Sequence, residues 1–178
     1  MSKILMIIPP ERFRDEELFV TKEELEKNGH SIVISSTKEG TINGSRGGKT
    51  ISEVSIDKIS TEEYDAVVFV GGGGSKLLFN NQDAIRIAQE MNNQHKIVSA
   101  ICFAPVILAN AGLLEGRKAT VCGTEAKLIE SKGAKYMGPG VIVDGNIITG
   151  NAPKASKLLG QKINDLLKPS LIDLVDKL

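Results

Sequence analysis

A chain of 178 residues, 41% apolar and 25% charged, has enough apolar mass to bury one core and too little for two, which predicts a single domain over residues 1–178. Lys+Arg and Asp+Glu balance at 22 each, so no net field draws the chain to nucleic acid or to an anionic membrane, and a small neutral molecule or another protein is the expected partner. The opening apolar run stops at Pro9-Pro10, too short for a signal segment, and no later stretch suits a bilayer; a cytoplasmic location and two free thiols are expected.

In chain order, five apolar runs of strand length stand out: "KILMII" (Lys3 to Ile8), "SIVISS" (Ser31 to Ser36), "AVVFV" (Ala66 to Val70), "KIVSAI" (Lys96 to Ile101) and "KATVC" (Lys118 to Cys122). They are continuous rather than alternating, as parallel strands are when both faces are covered. Between them lie "DEELFVTKEELEKNG", "DAIRIAQEMNNQ", "PVILANAGLLEG" and "EAKLIESKG", with helical spacing and Gly29, Gly112 or Gly133 at the expected C-terminal caps. The alternation implies a doubly wound α/β sandwich. Two segments break the rhythm. "GTINGSRGGKTISEVSI" predicts a small hairpin or flap after the second strand, and "VIVDGNIIT" an antiparallel hairpin at the sheet edge. A helix from about Pro153 to Leu167 follows, then a short amphipathic extension at about 169–178.

Ligands of doubly wound sheets bind beyond the carboxyl ends of the strands. Cys102 follows such a strand, Pro105 marks the first turn of the next helix, and Ala100 and Ala104 flank the cysteine two residues to either side. This is the small-residue spacing of a nucleophile elbow. A thiol there faces a helix N-terminus, whose partial positive charge favours thiolate. The alternative is a small buried hydrophobe. "VGGGGSKLL" after the third strand fails both the P-loop and the dinucleotide glycine patterns, so phosphate binding is not expected.

"AICFAPVILANAGLLEGRKAT", "VVFVGGGG" and "VIVDGNIITGNAP" together resemble the ThiJ/PfpI superfamily over nearly the whole chain. The resemblance implies a flavodoxin-like three-layer α/β sandwich with a mainly parallel sheet, a cysteine nucleophile elbow, and a homodimer or higher assembly. It places the elbow cysteine on Cys102, an accompanying first-helix glutamate on Glu17, and oxyanion donors on the amides of Gly72 and Phe103. Asn151 falls where relatives often carry an arginine, which weakens a claim of anion binding.

Departures from the family pattern select among its activities. Phe103 follows the cysteine where the peptidase branch has histidine, Cys122 occupies the position of a histidine found in many deglycase-like members, and His30 and His95 lie at the wrong ends of their elements. The expected function is a cysteine-dependent glyoxalase or deglycase acting on small reactive aldehydes or their protein adducts. Alternatives are a redox-sensing stress protein, in which Cys122 resolves an oxidised Cys102, and a PfpI-like cysteine peptidase. Two cysteines and two scattered histidines make no metal ligand set, and no cofactor is implied.

Overall fold

A computed structural model describes all residues 1–178. The main sheet contains β1 (Lys3–Ile7), β2 (Ser31–Ser36), β5 (Val54–Ser55), β6 (Ala66–Phe69), β7 (Ile97–Ile101), β10 (Val141–Asp144) and β11 (Ile147–Gly150). Their order across it is β10-β11-β7-β6-β1-β2-β5, parallel throughout except for the β10–β11 hairpin at one edge. Side chains alternate between the faces: Leu5 and Ile7 of β1 join one core cluster, whereas Ile4, Met6 and Ile8 join the other. Both clusters are buried, which is why β1 after Lys3 and all of β6 are apolar on both faces.

Helices cover each face. α1 (Asp15–Lys27) and α5 (Ser156–Leu167) pack on each other over one face, while α2 (Gln82–Asn93), α3 (Pro105–Asn110) and α4 (Ala126–Ser131) cover the other. The amphipathic spacing of α2 buries Ala84, Ile87, Ala88 and Met91 on a single stripe, and Asn81 caps it by accepting from the amides of Asp83 and Ala84. The predicted cap glycines Gly29, Gly112 and Gly133 all have positive φ. The flavodoxin-like three-layer arrangement expected from the sequence is the one observed.

The flap forms as a two-stranded ribbon, β3 (Gly40–Asn43) with β4 (Lys49–Ser52), separate from the main sheet. "KATVC" departs from expectation. Only Lys118–Ala119 is a strand, β8, and it pairs with β9 (Lys135–Tyr136) outside the main sheet. Thr120, which would continue β8, instead donates its amide to Thr149 Oγ1 at 2.9 Å. The chain ends in α6 (Leu171–Val175), capped by Ser170, with Leu171, Ile172 and Val175 exposed.

Candidate active site

β7 delivers the chain to Cys102, whose φ of +63° lies in the left-handed region. A residue with a Cβ enters that region at a cost of about 1–3 kcal/mol, so the surrounding structure must impose it. Hydrogen bonds pin the corner on both sides. Cys102 N donates to Gly150 O at 2.9 Å, Cys122 N donates to Cys102 O at 2.7 Å, and Ala104 N donates to Ile101 O at 3.0 Å. Ala100 and Ala104 are fully buried beside the turn.

Glu17 reaches the same corner from α1. Its Oε1 accepts from Gly71 N at 2.8 Å. Its Oε2 is buried without a hydrogen-bond partner, and the thiol of Cys102 is the polar group beside it. Burial raises the Glu17 carboxyl to about 8, with the Gly71 amide and the neighbouring thiol opposing the rise. Burial also pushes the Cys102 thiol up from its ordinary value, and negative charge on Glu17 adds to the push. This corrects the expected acidic thiol. The six-residue α3 supplies a weak positive end, and desolvation beside a second acid outweighs it.

The close approach of Glu17 to Cys102 requires glycine at 71, where an added Cβ would lie 2.6 Å from Glu17 Oε1 and 2.8 Å from Ile101 O. At Gly72 the φ is +123°, and the following backbone turns across Phe13, which it pairs with through an isolated bridge. Neither the Gly72 amide nor the Phe103 amide donates to a backbone carbonyl. Both residues line, with Glu17 and Cys102, one cavity of about 300 Å³. The four positions singled out in the sequence are thus brought together.

Two others are not. Asn151 does not line the cavity; its Oδ1 accepts from Gly140 N at 2.9 Å and ties down the loop before β10. Cys122 does not line it either, although its backbone is bonded to Cys102 and its side chain packs against the same core cluster. No histidine reaches the cavity. His30 accepts from Ser2 N through Nδ1, and His95 precedes β7 at the end opposite Cys102.

Sequence reasoning missed Arg14, Ser45, Arg46, Gly73 and Pro153, which complete the wall. The flap brings Ser45 and Arg46. Asp15, at the start of α1, accepts from Arg46 N at 2.9 Å and from Gly48 N at 2.7 Å, and Ser45 N donates to Phe13 O at 2.8 Å. An added Cβ at Gly44 or Gly48 would fall 2.2 or 2.6 Å from the Asp15 carboxylate. The pattern Gly-Ser-Arg-Gly-Gly was a visible signal of a tight turn, but nothing in it named the carboxylate it would grip.

A parallel α/β sandwich with a cysteine on a left-handed strand-to-helix corner, beside a buried glutamate, defines a class of cysteine-corner proteins. The DJ-1/PfpI family model matches residues 2–166, and the chain belongs to that family. It is 44% identical to an uncharacterized protein of Methanocaldococcus jannaschii over 165 residues, covering 91% of this chain and 80% of that one. It is 36% identical to a deglycase of Pyrococcus horikoshii, covering 85% and 90% respectively. Among solved structures, a ThiJ/PfpI domain protein of Brachyspira murdochii superposes with a TM-score of 0.91 at 34% identity, over 93% of this chain and 95% of the other. No helix is long and apolar enough to cross a membrane.

Proposed function

We propose that the protein is a glyoxalase or deglycase-like enzyme in which Cys102 is the nucleophile and Glu17 the proton carrier. Deglycase-named relatives support that class. The observation that carries the reading is the sealed Glu17 carboxyl beside the thiol, raised to about 8 in a cavity without histidine. A carboxyl with that value can accept and return a proton near neutral pH.

On methylglyoxal the steps balance as follows. Glu17 takes the thiol proton as sulfur bonds to the aldehyde carbon, and the amides of Gly72 and Phe103 hold the developing oxyanion. Protonation of that oxygen gives a hemithioacetal. Glu17 then moves a proton from the former aldehyde carbon to the ketone carbon, while the hemithioacetal hydroxyl gives up its proton and the former ketone oxygen gains one, leaving the thioester of a 2-hydroxy acid. Water cleaves the thioester, releasing lactate and restoring the thiol. Peptide hydrolysis is disfavoured, because an amine leaving group needs an acid and a strong base that the cavity wall does not supply in imidazole form.

Assaying lactate from methylglyoxal with the wild type and with Cys102→Ser tests this. Loss of activity in the variant alone supports the enzyme. Absence of activity in both, with normal folding, favours a redox role. That second reading rests on the proximity of Cys122, whose charge raises the Cys102 thiol. Peroxide would oxidise Cys102 to a sulfenic acid, and the Cys122 thiol would then displace water to form a disulfide.

A further inference from the structure

The zero net charge of the chain conceals an uneven cavity. Of the ionisable side chains on its wall apart from Cys102, two are arginines and one is Glu17. Glu17 stays protonated below about pH 8 and adds little negative charge at neutral pH. Arg14 is paired with Glu16 through Nε, and Arg12, farther out beside Gly73, is paired with Glu11 at 3.7 Å. Arg46 has no ion pair. Its charge reaches Glu16, but its guanidinium is bound to no carboxylate.

Its position is built. The Asp15 carboxylate clamps the amides of Arg46 and Gly48, the Ser45 amide is tied to Phe13 O, and Gly44 and Gly48 leave the space that the clamp occupies. The flap backbone is therefore held against α1, and the Arg46 side chain is free to meet a ligand. A guanidinium matches a planar carboxylate with two parallel hydrogen bonds, whereas a phosphate dianion would call for more positive charge than one unpaired arginine provides.

We propose that the preferred substrates are 2-oxoaldehydes bearing a carboxylate, with the aldehyde carbon at Cys102 and the carboxylate on Arg46. This rests on the glyoxalase reading for the reacting end, while the anion subsite stands on Arg46 itself. It departs from the neutral partner expected from net charge, because a ligand responds to the local field of the cleft and not to the sum over the chain.

The probe is 4,5-dioxopentanoate, which the same addition, proton transfer and hydrolysis convert with one water to 2-hydroxyglutarate, compared with its neutral methyl ester. Wild type should favour the acid at least about tenfold in kcat/KM, mainly through KM, as expected for a charge-assisted hydrogen bond. In Arg46→Gln the preference should fall towards unity, and Arg46→Lys should restore part of it. A second measurement needs no turnover. The rates at which iodoacetate and iodoacetamide alkylate Cys102, followed by mass spectrometry of its peptide, should give a ratio that drops in Arg46→Gln and with added salt. An unchanged ratio overturns the subsite whether or not the protein is an enzyme. A ratio that drops without turnover of either carbonyl compound retains the subsite and overturns the glyoxalase reading alone. Equal kcat/KM for acid and ester in wild type overturns the substrate assignment.

Discussion

Glu17 and Cys102 are two acids confined in one buried corner, the carboxyl offering Oε2 with no protein hydrogen bond and the thiol lying beside it. Negative charge on Glu17 raises the thiol, whereas the hydrogen bond from the thiol lowers Glu17, so the two titrations are coupled. At neutral pH both protons are held, and the first leaves near the value of about 8 to which burial raises Glu17. In the proposed mechanism the reactive form is the singly ionised pair.

Accordingly, kcat/KM on a 2-oxoaldehyde should rise with pH through about 8. Glu17→Gln removes the negative charge that pushes the thiol up, so the midpoint for alkylation of Cys102 should move to lower pH while turnover is lost. A pH profile that is flat across this range in wild type would contradict the coupling.

The same residue is a stability liability. Glu17 is raised from 4.5 to about 8 on folding, so folding favours its neutral form; the penalty begins above pH 4.5, grows to about pH 8 and then levels off. Glu17→Gln should therefore be more stable than wild type, by on the order of 3 kcal/mol at pH 7, with little difference near pH 4. Urea unfolding at the two pH values measures this. A variant that is less stable than wild type at pH 7 would show that the buried carboxyl is not under the strain described.

Asp15 should matter through the flap. Asp15→Ala removes an acceptor from two backbone amides, and each hydrogen bond to a charged group contributes about 1.5–3 kcal/mol. We expect lower thermal stability together with a loss of the preference for anionic over neutral alkylating agents, since the backbone of Arg46 is no longer held. Loss of stability with the preference intact would mean that Arg46 finds its place without the clamp.

The terminal helix is predicted to contribute little to its own subunit. Leu171, Ile172 and Val175 are 82%, 74% and 65% exposed, so ending the chain at Lys168 should change the unfolding free energy of an isolated subunit by less than about 0.5 kcal/mol. We propose a homodimer or higher assembly, and light scattering of the full and shortened chains shows whether the tail takes part. A dimer that survives shortening removes the tail from the interface, and a monomeric full chain at micromolar concentration removes the assembly.

Apolar periodicity and glycine placement determined the layered α/β fold, because strands sealed on both faces must be apolar throughout and helices on a sheet must carry one apolar stripe. The corner at Cys102 was equally legible, since a sharp strand-to-helix turn demands the small residues Ala100 and Ala104 and tolerates Pro105. Family resemblance then pointed to Glu17, which local chemistry could not separate from Asp15 and Glu16; all three acids suit the first turn of a helix. Tertiary structure divided them. Asp15 turns to the flap, Glu16 to Arg14, and Glu17 inward to Gly71 and Cys102. It also truncated the strand before Cys122, whose continuation was lost to the Thr120–Thr149 bond, and carried Arg46 across from the flap. Local sequence encodes period and turn. Which acid is desolvated, and which arginine is left unpaired, depends on contacts between segments far apart in the chain, and these set both the proton affinity of the thiol pair and the charge of the cleft.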